Sequence, residues 1–160
     1  IMKKFLPVLI LSLLALGCSD EEVINQDIVG AWEFTMVPSE NYYEALDGID
    51  YIFISQIIFS EDGSYHKEEF VEDSETHEII GYLSRHEGSY TIEESRIILN
   101  YDEYANFEDH QQQIVEKTKL NFFSTVSDKG RYYTFEGEIL KLGCDYLENC
   151  DLANYVRIRL

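Results

Sequence analysis

Apolar and polar residues alternate along most of the chain beyond residue 27, and a two-residue period marks strands rather than helices. In the first such run Trp32, Phe34 and Met36 share one face, with Glu33 and Thr35 on the other. Tyr51 to Ser60 is apolar on both faces, as expected for a strand covered on two sides or one carrying a bend. Glu61-Asp62-Gly63-Ser64 then supplies turn chemistry, and Tyr65, Lys67 and Glu69 open a strand that pairs back as a hairpin. The pattern predicts further strands at His77 to Arg85, at Gly88 to Ile92 and, after the turn Glu93-Glu94-Ser95, at Arg96 to Tyr101. Later runs are Ile114 to Phe123, Arg131 to Leu142 and Asn154 to Leu160.

About nine short strands broken by Gly, Asp and Ser turns predict an all-β domain: an antiparallel up-and-down meander closed as a small barrel, with a β-sandwich as the alternative. Tyr42 to Leu46 reads as a short helix capping one end. The stretch Tyr101 to Gln113 lacks clear alternation, and Tyr101, Tyr104 and Phe107 stand at helical spacing. They suit an aromatic lid over the barrel mouth or a platform for sugar or peptide, or else a loop whose rings tuck into the core's edge.

The N-terminal segment follows a different pattern. Met2-Lys3-Lys4, the apolar run FLPVLILSLLAL at 5–16 and a close on Gly17-Cys18 read as a secretory signal over residues 1–17. The apolar run is shorter than the roughly 20 residues a membrane-spanning helix needs. Leu14-Ala15-Leu16-Gly17-Cys18 resembles the bacterial lipobox, with Ala15 and Leu16 exchanged relative to its commonest order. The resemblance implies a lipoprotein in which Cys18 carries acyl chains such as palmitate, each buried methylene adding about 0.8 kcal/mol of membrane affinity. Ser19-Asp20-Glu21-Glu22 resembles the export signal of Bacteroidetes surface lipoproteins, which implies the outer membrane and leaves exposure at the cell surface open. A solvated tether is the plainer reading of the same residues. The organisation is then signal at 1–17, acidic tether at 18–27 and one domain at 28–160, a size that buries a core unaided.

Charge narrows the partners. The chain holds 12 Lys and Arg against 31 Asp and Glu, a formal charge of −19 that becomes −21 once Lys3 and Lys4 leave with the signal. Nucleic acid requires a basic face and is excluded. The field favours solubility and attracts cationic partners or divalent ions. With Cys18 modified, Cys144 and Cys150 remain as a pair with five residues between them, and an exported chain is expected to bridge them as a disulfide.

Catalytic signatures do not emerge. His66, His77, His86 and His110 are dispersed, without the spacing of metal ligands. There is no nucleophile elbow or phosphate loop, and neither Ser60 to Gly63 nor Asp145 to Asp151 matches a calcium loop. The sequence therefore predicts no metal, no cofactor and no enzyme.

Gly30-Ala31-Trp32 resembles the G-x-W signature of lipocalins. Ile57-x-Phe59-x-x-Asp62-Gly63-x-Tyr65 and Gly88-x-Tyr90-x-Ile92 with Ile97-x-Leu99 resemble hairpin motifs of the small lipocalin-like lipoproteins of Bacteroidetes. The resemblance implies a closed barrel in which an Arg from a late strand, Arg157 or Arg159, packs across Trp32 beside Gly30 and closes one end. It also implies an interior lined by Trp32, Phe34, Met36, Phe59, Tyr90, Ile97 and Leu99. Such a barrel would bind a small apolar ligand or a partner protein of the cell envelope. If its own side chains fill it, it becomes a structural or interaction module, such as an inhibitor of a cationic enzyme. The anchor has a direct test: Cys18→Ala is expected to move the protein from the membrane to the soluble fraction, and unchanged fractionation would refute lipidation.

Overall fold

The computed structural model describes residues 27–38, 43, 46–143 and 152–159, with the backbone alone at 128 and 129. The signal, Cys18, most of the tether and the Cys144/Cys150 pair lie outside the described residues.

Alternation becomes ten strands: β1 (Gly30–Met36), β2 (Tyr51–Phe59), β3 (Ser64–Asp73), β4 (Ile79–Glu93), β5 (Arg96–Ala105), β6 (Phe107–Glu108), β7 (Gln111–Gln112), β8 (Asn121–Glu136), β9 (Ile139–Leu142) and β10 (Ala153–Ile158). Eight of them form a closed ring, a barrel in the order β1-β10-β9-β8-β5-β4-β3-β2, every pair antiparallel. The meander is broken only by β6–β7, a separate hairpin between β5 and β8. No α-helix occurs among the described residues. Of the helix expected at Tyr42 to Leu46, only Tyr43 and the buried Leu46 are described.

Several expected boundaries move. The strands read at His77 to Arg85 and Gly88 to Ile92 are one continuous strand, β4, whose register slips against β3 after Glu69 and after Val71. These slips fall within residues 79–84; across the expected break the ladder is regular, with His86 opposite Lys67 and Glu87 opposite His66. His77 itself stands in the preceding turn with φ 57°. The run Arg131 to Leu142 is two strands, because Gly137 at φ 62° turns the chain between β8 and β9. Ile114 and Val115 are not a strand start: a single bridge ties Val115 to Tyr82, a 3-10 turn follows at Lys117–Lys119, and β8 begins at Asn121. The stretch expected to lack alternation is also strand, since β5 runs to Ala105 and the β6–β7 tip is turned by Asp109 and His110 at positive φ.

Two apolar clusters fill the barrel. The larger one gathers Ile28, Trp32, Ile57, Phe59, Tyr90, Ile97, Leu99 and Leu140 toward the end where β1 begins, and the smaller gathers Leu46, Tyr51, Val71 and Leu83 toward the other. A clamp closes the first end. The Arg157 guanidinium lies 4.3 Å from the Trp32 ring centre. It donates hydrogen bonds to the Val29 carbonyl at 2.9 Å and to the Asp27 carbonyl, while Trp32 Nε1 donates to Ile28 O at 2.7 Å. Gly30 has φ 135°, where a side chain is strained, and a Cβ there would sit 2.9 Å from Arg157 Nη1. Arg159 is exposed and takes no part in this contact. The inner face of β10 is thus Ala153, Tyr155 and Arg157, and Val156 points outward, 54% exposed.

Replacing Arg157 by Ala removes a cation–π contact and two hydrogen bonds, so an expected loss of about 1–2 kcal/mol should appear as a lower urea midpoint. Arg159→Ala should stay within about 0.5 kcal/mol of wild type.

Candidate functional site

Between the two apolar clusters the barrel interior is polar. On β3 the inward positions are Tyr65, Lys67, Glu69 and Val71, so a strand that begins and ends in core residues carries an ion pair at its centre. Lys67 Nζ lies 2.5 Å from Glu69 Oε1, and Ser84 Oγ of β4 donates to Glu69 Oε2 at 2.6 Å. Burial raises the Glu69 carboxyl, but the Lys67 charge and these hydrogen bonds more than offset it and hold the group well below the usual carboxylate range.

His86, two positions along the same face of β4 from Ser84, stacks on Tyr101 of β5, with ring centres 4.5 Å apart and planes within 9°. Its Nε2 is 3.9 Å from Glu103 Oε1, and its Nδ1 is buried without a hydrogen-bond partner among the described residues. Burial, with repulsion from Lys67 and Arg131, lowers its pKa to about 4, so the imidazole is neutral at neutral pH. Ser55 and Tyr155 exchange a hydrogen bond of 3.0 Å across β2 and β10. The phenol pKa values of Tyr65 and Tyr101 are raised, chiefly by burial.

Beside this layer lies a cavity of about 50 Å³. Its lining mixes apolar Ile57, Phe59, Ile97, Leu99, Leu142 and Ala153 with polar Tyr65, Lys67, Arg131 and Tyr155, and Ile57 pairs directly with Lys67, Phe59 with Tyr65 and Ile97 with Arg131. Of the residues expected to line the interior, Phe59, Ile97 and Leu99 do so. Trp32 and Tyr90 belong to the apolar cluster without bordering the cavity, and Phe34 packs against Tyr155 at 5.7 Å. Met36 departs from expectation: it is 41% exposed and does not border this cavity. The cause is registry. The pairing of β1 with β10 ends at Glu33, and beyond it β1 is held by β2 alone.

Tyr101, Tyr104 and Phe107 do not come together as a lid. In strand rather than helix, Tyr101 points into the barrel and Tyr104 points out, beneath the Arg85 guanidinium at 4.5 Å and against Phe122 at 6.1 Å. Phe107 rides on the β6–β7 hairpin and meets Phe123 at 4.6 Å. That pair rims a second concavity, an open groove of about 630 Å³ bordered also by Asn106, Gln113, Ile114 and Asn121. Phe107 is 44% and Phe123 54% exposed.

Sequence reading missed Lys67, Glu69, His86 and Arg131 as interior residues. The signal was present in the alternation, which places Lys67 and Glu69 on the face of Tyr65, His86 on that of Tyr90, and Arg131 on that of Tyr133 and Phe135. Among the described residues no group of three or more His, Cys, Asp or Glu is placed to hold a metal ion, and no helix is long and apolar enough to cross a membrane. No protein-family model matches the chain, and a search of curated proteins finds no match.

The buried histidine makes stability fall with acid. His86 stays neutral in the fold down to about pH 4 but protonates below about 6.5 once unfolded, so its contribution is complete above that value and is lost on acidification through this window. Each pH unit within it should cost up to about 1.4 kcal/mol of unfolding free energy. Glu68 extends the decline: its hydrogen bond with His66, then its pairing with Lys117, hold it to about 2, so its share is lost between about 4.5 and 2. Urea unfolding across pH 4 to 7 should show the upper decline in wild type and a nearly flat line in His86→Gln; equal slopes would refute the assignment.

Proposed function

We propose that the chain is a lipid-anchored envelope protein without enzymatic activity, whose barrel serves as an interaction module docking a partner protein through the groove at the β6–β7 hairpin. The observation that carries this reading is the exposed Phe107–Phe123 pair on a groove of about 630 Å³. Aromatic rings held open to water on a concave surface are the usual anchors of protein recognition. The groove is bordered by carboxamides and one carboxylate, Glu108, and contains no basic residue. Together with the formal charge of −19, this favours a partner with a basic rim. The Cys18 anchor and acidic tether place the module at the outer membrane in this reading.

The interior supports a second, smaller role. A lipid-sized apolar ligand needs several hundred Å³, and the interior cavity lined by the described residues measures about 50 Å³, too small to take one. The polar groups in that lining nonetheless favour a very small ligand.

A photo-crosslinking residue at Phe123 should yield a discrete adduct in intact cells, absent when the same residue replaces the exposed Thr134. Equal adducts at both positions, or none at Phe123, would refute docking through the groove.

A further inference from the structure

We propose that the barrel cavity is a binding site for a short-chain organic acid, its carboxylate held by the Arg131 guanidinium and its alkyl end among the hydrocarbon side chains of the lining. This deepens the interior reading above and is independent of the groove.

Charge balance inside the barrel is the first reason. Lys67 and Arg131 both border the cavity. Lys67 is matched by Glu69, but among the described residues no carboxylate lies within 4.0 Å of Arg131. It shares a hydrogen bond with the phenol of Tyr101, a neutral group whose pKa is raised by burial. A guanidinium that borders a cavity with no carboxylate within 4.0 Å favours an anion there, and a carboxylate matches its planar fork with two parallel hydrogen bonds.

The rest of the wall selects the acid. Tyr65 and Tyr155 bring hydroxyl-bearing rings to the same cavity, although the Tyr155 hydroxyl is shared with Ser55. Ile57, Phe59, Ile97, Leu99, Leu142 and Ala153 offer only hydrocarbon between the polar groups, which suits a ligand that carries an alkyl group beside its charge. Volume sets the length. A cavity of about 50 Å³ holds roughly three to five water-sized groups, the heavy-atom count of formate, acetate or propionate. The acidic surface disfavours multiply charged acids, so the ligand is a monoanion.

The test uses the full chain in detergent micelles, with ¹³C-carboxylate acetate and propionate observed by NMR and thermal unfolding followed in parallel. The expected result is saturable binding of acetate and propionate at millimolar concentration, with a matching rise in Tm. Chloride at equal ionic strength, propionamide and hexanoate should produce neither effect. Arg131→Gln should bind on the order of tenfold more weakly or worse, whereas Arg96→Gln, whose guanidinium lies over Tyr132 outside the cavity, should bind as wild type. Leu99→Phe keeps the charge but fills the cavity, and should abolish binding even where Arg131→Gln fails to fold. Any one of four outcomes overturns the proposal: no response to either acid, an equal response to chloride, binding of hexanoate, or unchanged affinity in both Arg131→Gln and Leu99→Phe. None of these outcomes bears on crosslinking from Phe123, so the two sites stand or fall separately.

Discussion

Pairing of the first strand with the last is the interaction on which the rest of the structure depends. Only Ala31 to Glu33 and Val156 to Ile158 form that seam, far shorter than the nine-residue ladder between β2 and β3. The Trp32–Arg157 clamp sits on the seam and ties residues 27–29 to it. Once the ring is closed no barrel strand is left as a free edge, and each has one face turned to an enclosed interior. Every inward side chain must then pack or find a polar partner.

The interior meets this demand in layers: a larger apolar cluster, a charged middle, a smaller apolar cluster. A core built for stability alone would have continued Tyr65 and Val71 with another pair of apolar residues, since buried ion pairs seldom outperform well-packed hydrocarbon. Lys67, Glu69, His86 and Arg131 hold positions that cost stability. Such placement is a common mark of residues retained for a role other than packing. The apolar layers on either side keep the charges at low dielectric, which strengthens the Lys67–Glu69 attraction and depresses the His86 pKa.

Fold class was legible in the sequence because alternation in a half-buried strand follows directly from the pleat. The hairpin at Asp62-Gly63 was readable for the same local reason, and Gly63 does take φ 79° there, with Asp62 accepting a hydrogen bond from the Ser64 amide. What failed was continuity. His86 and Glu87 are two polar residues in succession and read as a gap, yet they pair regularly with Lys67 and His66 inside one long strand. The interior charges were hidden by a different habit, that of assigning Lys and Glu to water, although alternation already puts Lys67 and Glu69 on the face of Tyr65. The Phe107–Phe123 groove was unreadable for a third reason, since its two rings come from separate strands joined by no local pattern.

The seam also carries a consequence in time. Ala31 and Ile158 pair across almost the whole described chain, and contacts of such separation must overcome the largest loop-closure entropy before they return any stabilisation. The hairpins from β2 to β5 join near neighbours and are free to form early, whereas the ring stays open until β10 is delivered to β1. Until that moment β1 presents an unpaired edge bearing Trp32 and Phe34, and the arrival of Arg157 both completes the ladder and covers the indole. The slowest step in folding is therefore expected to coincide with the removal of the most adhesive surface, which makes the last strand a guard against association with other unfinished chains.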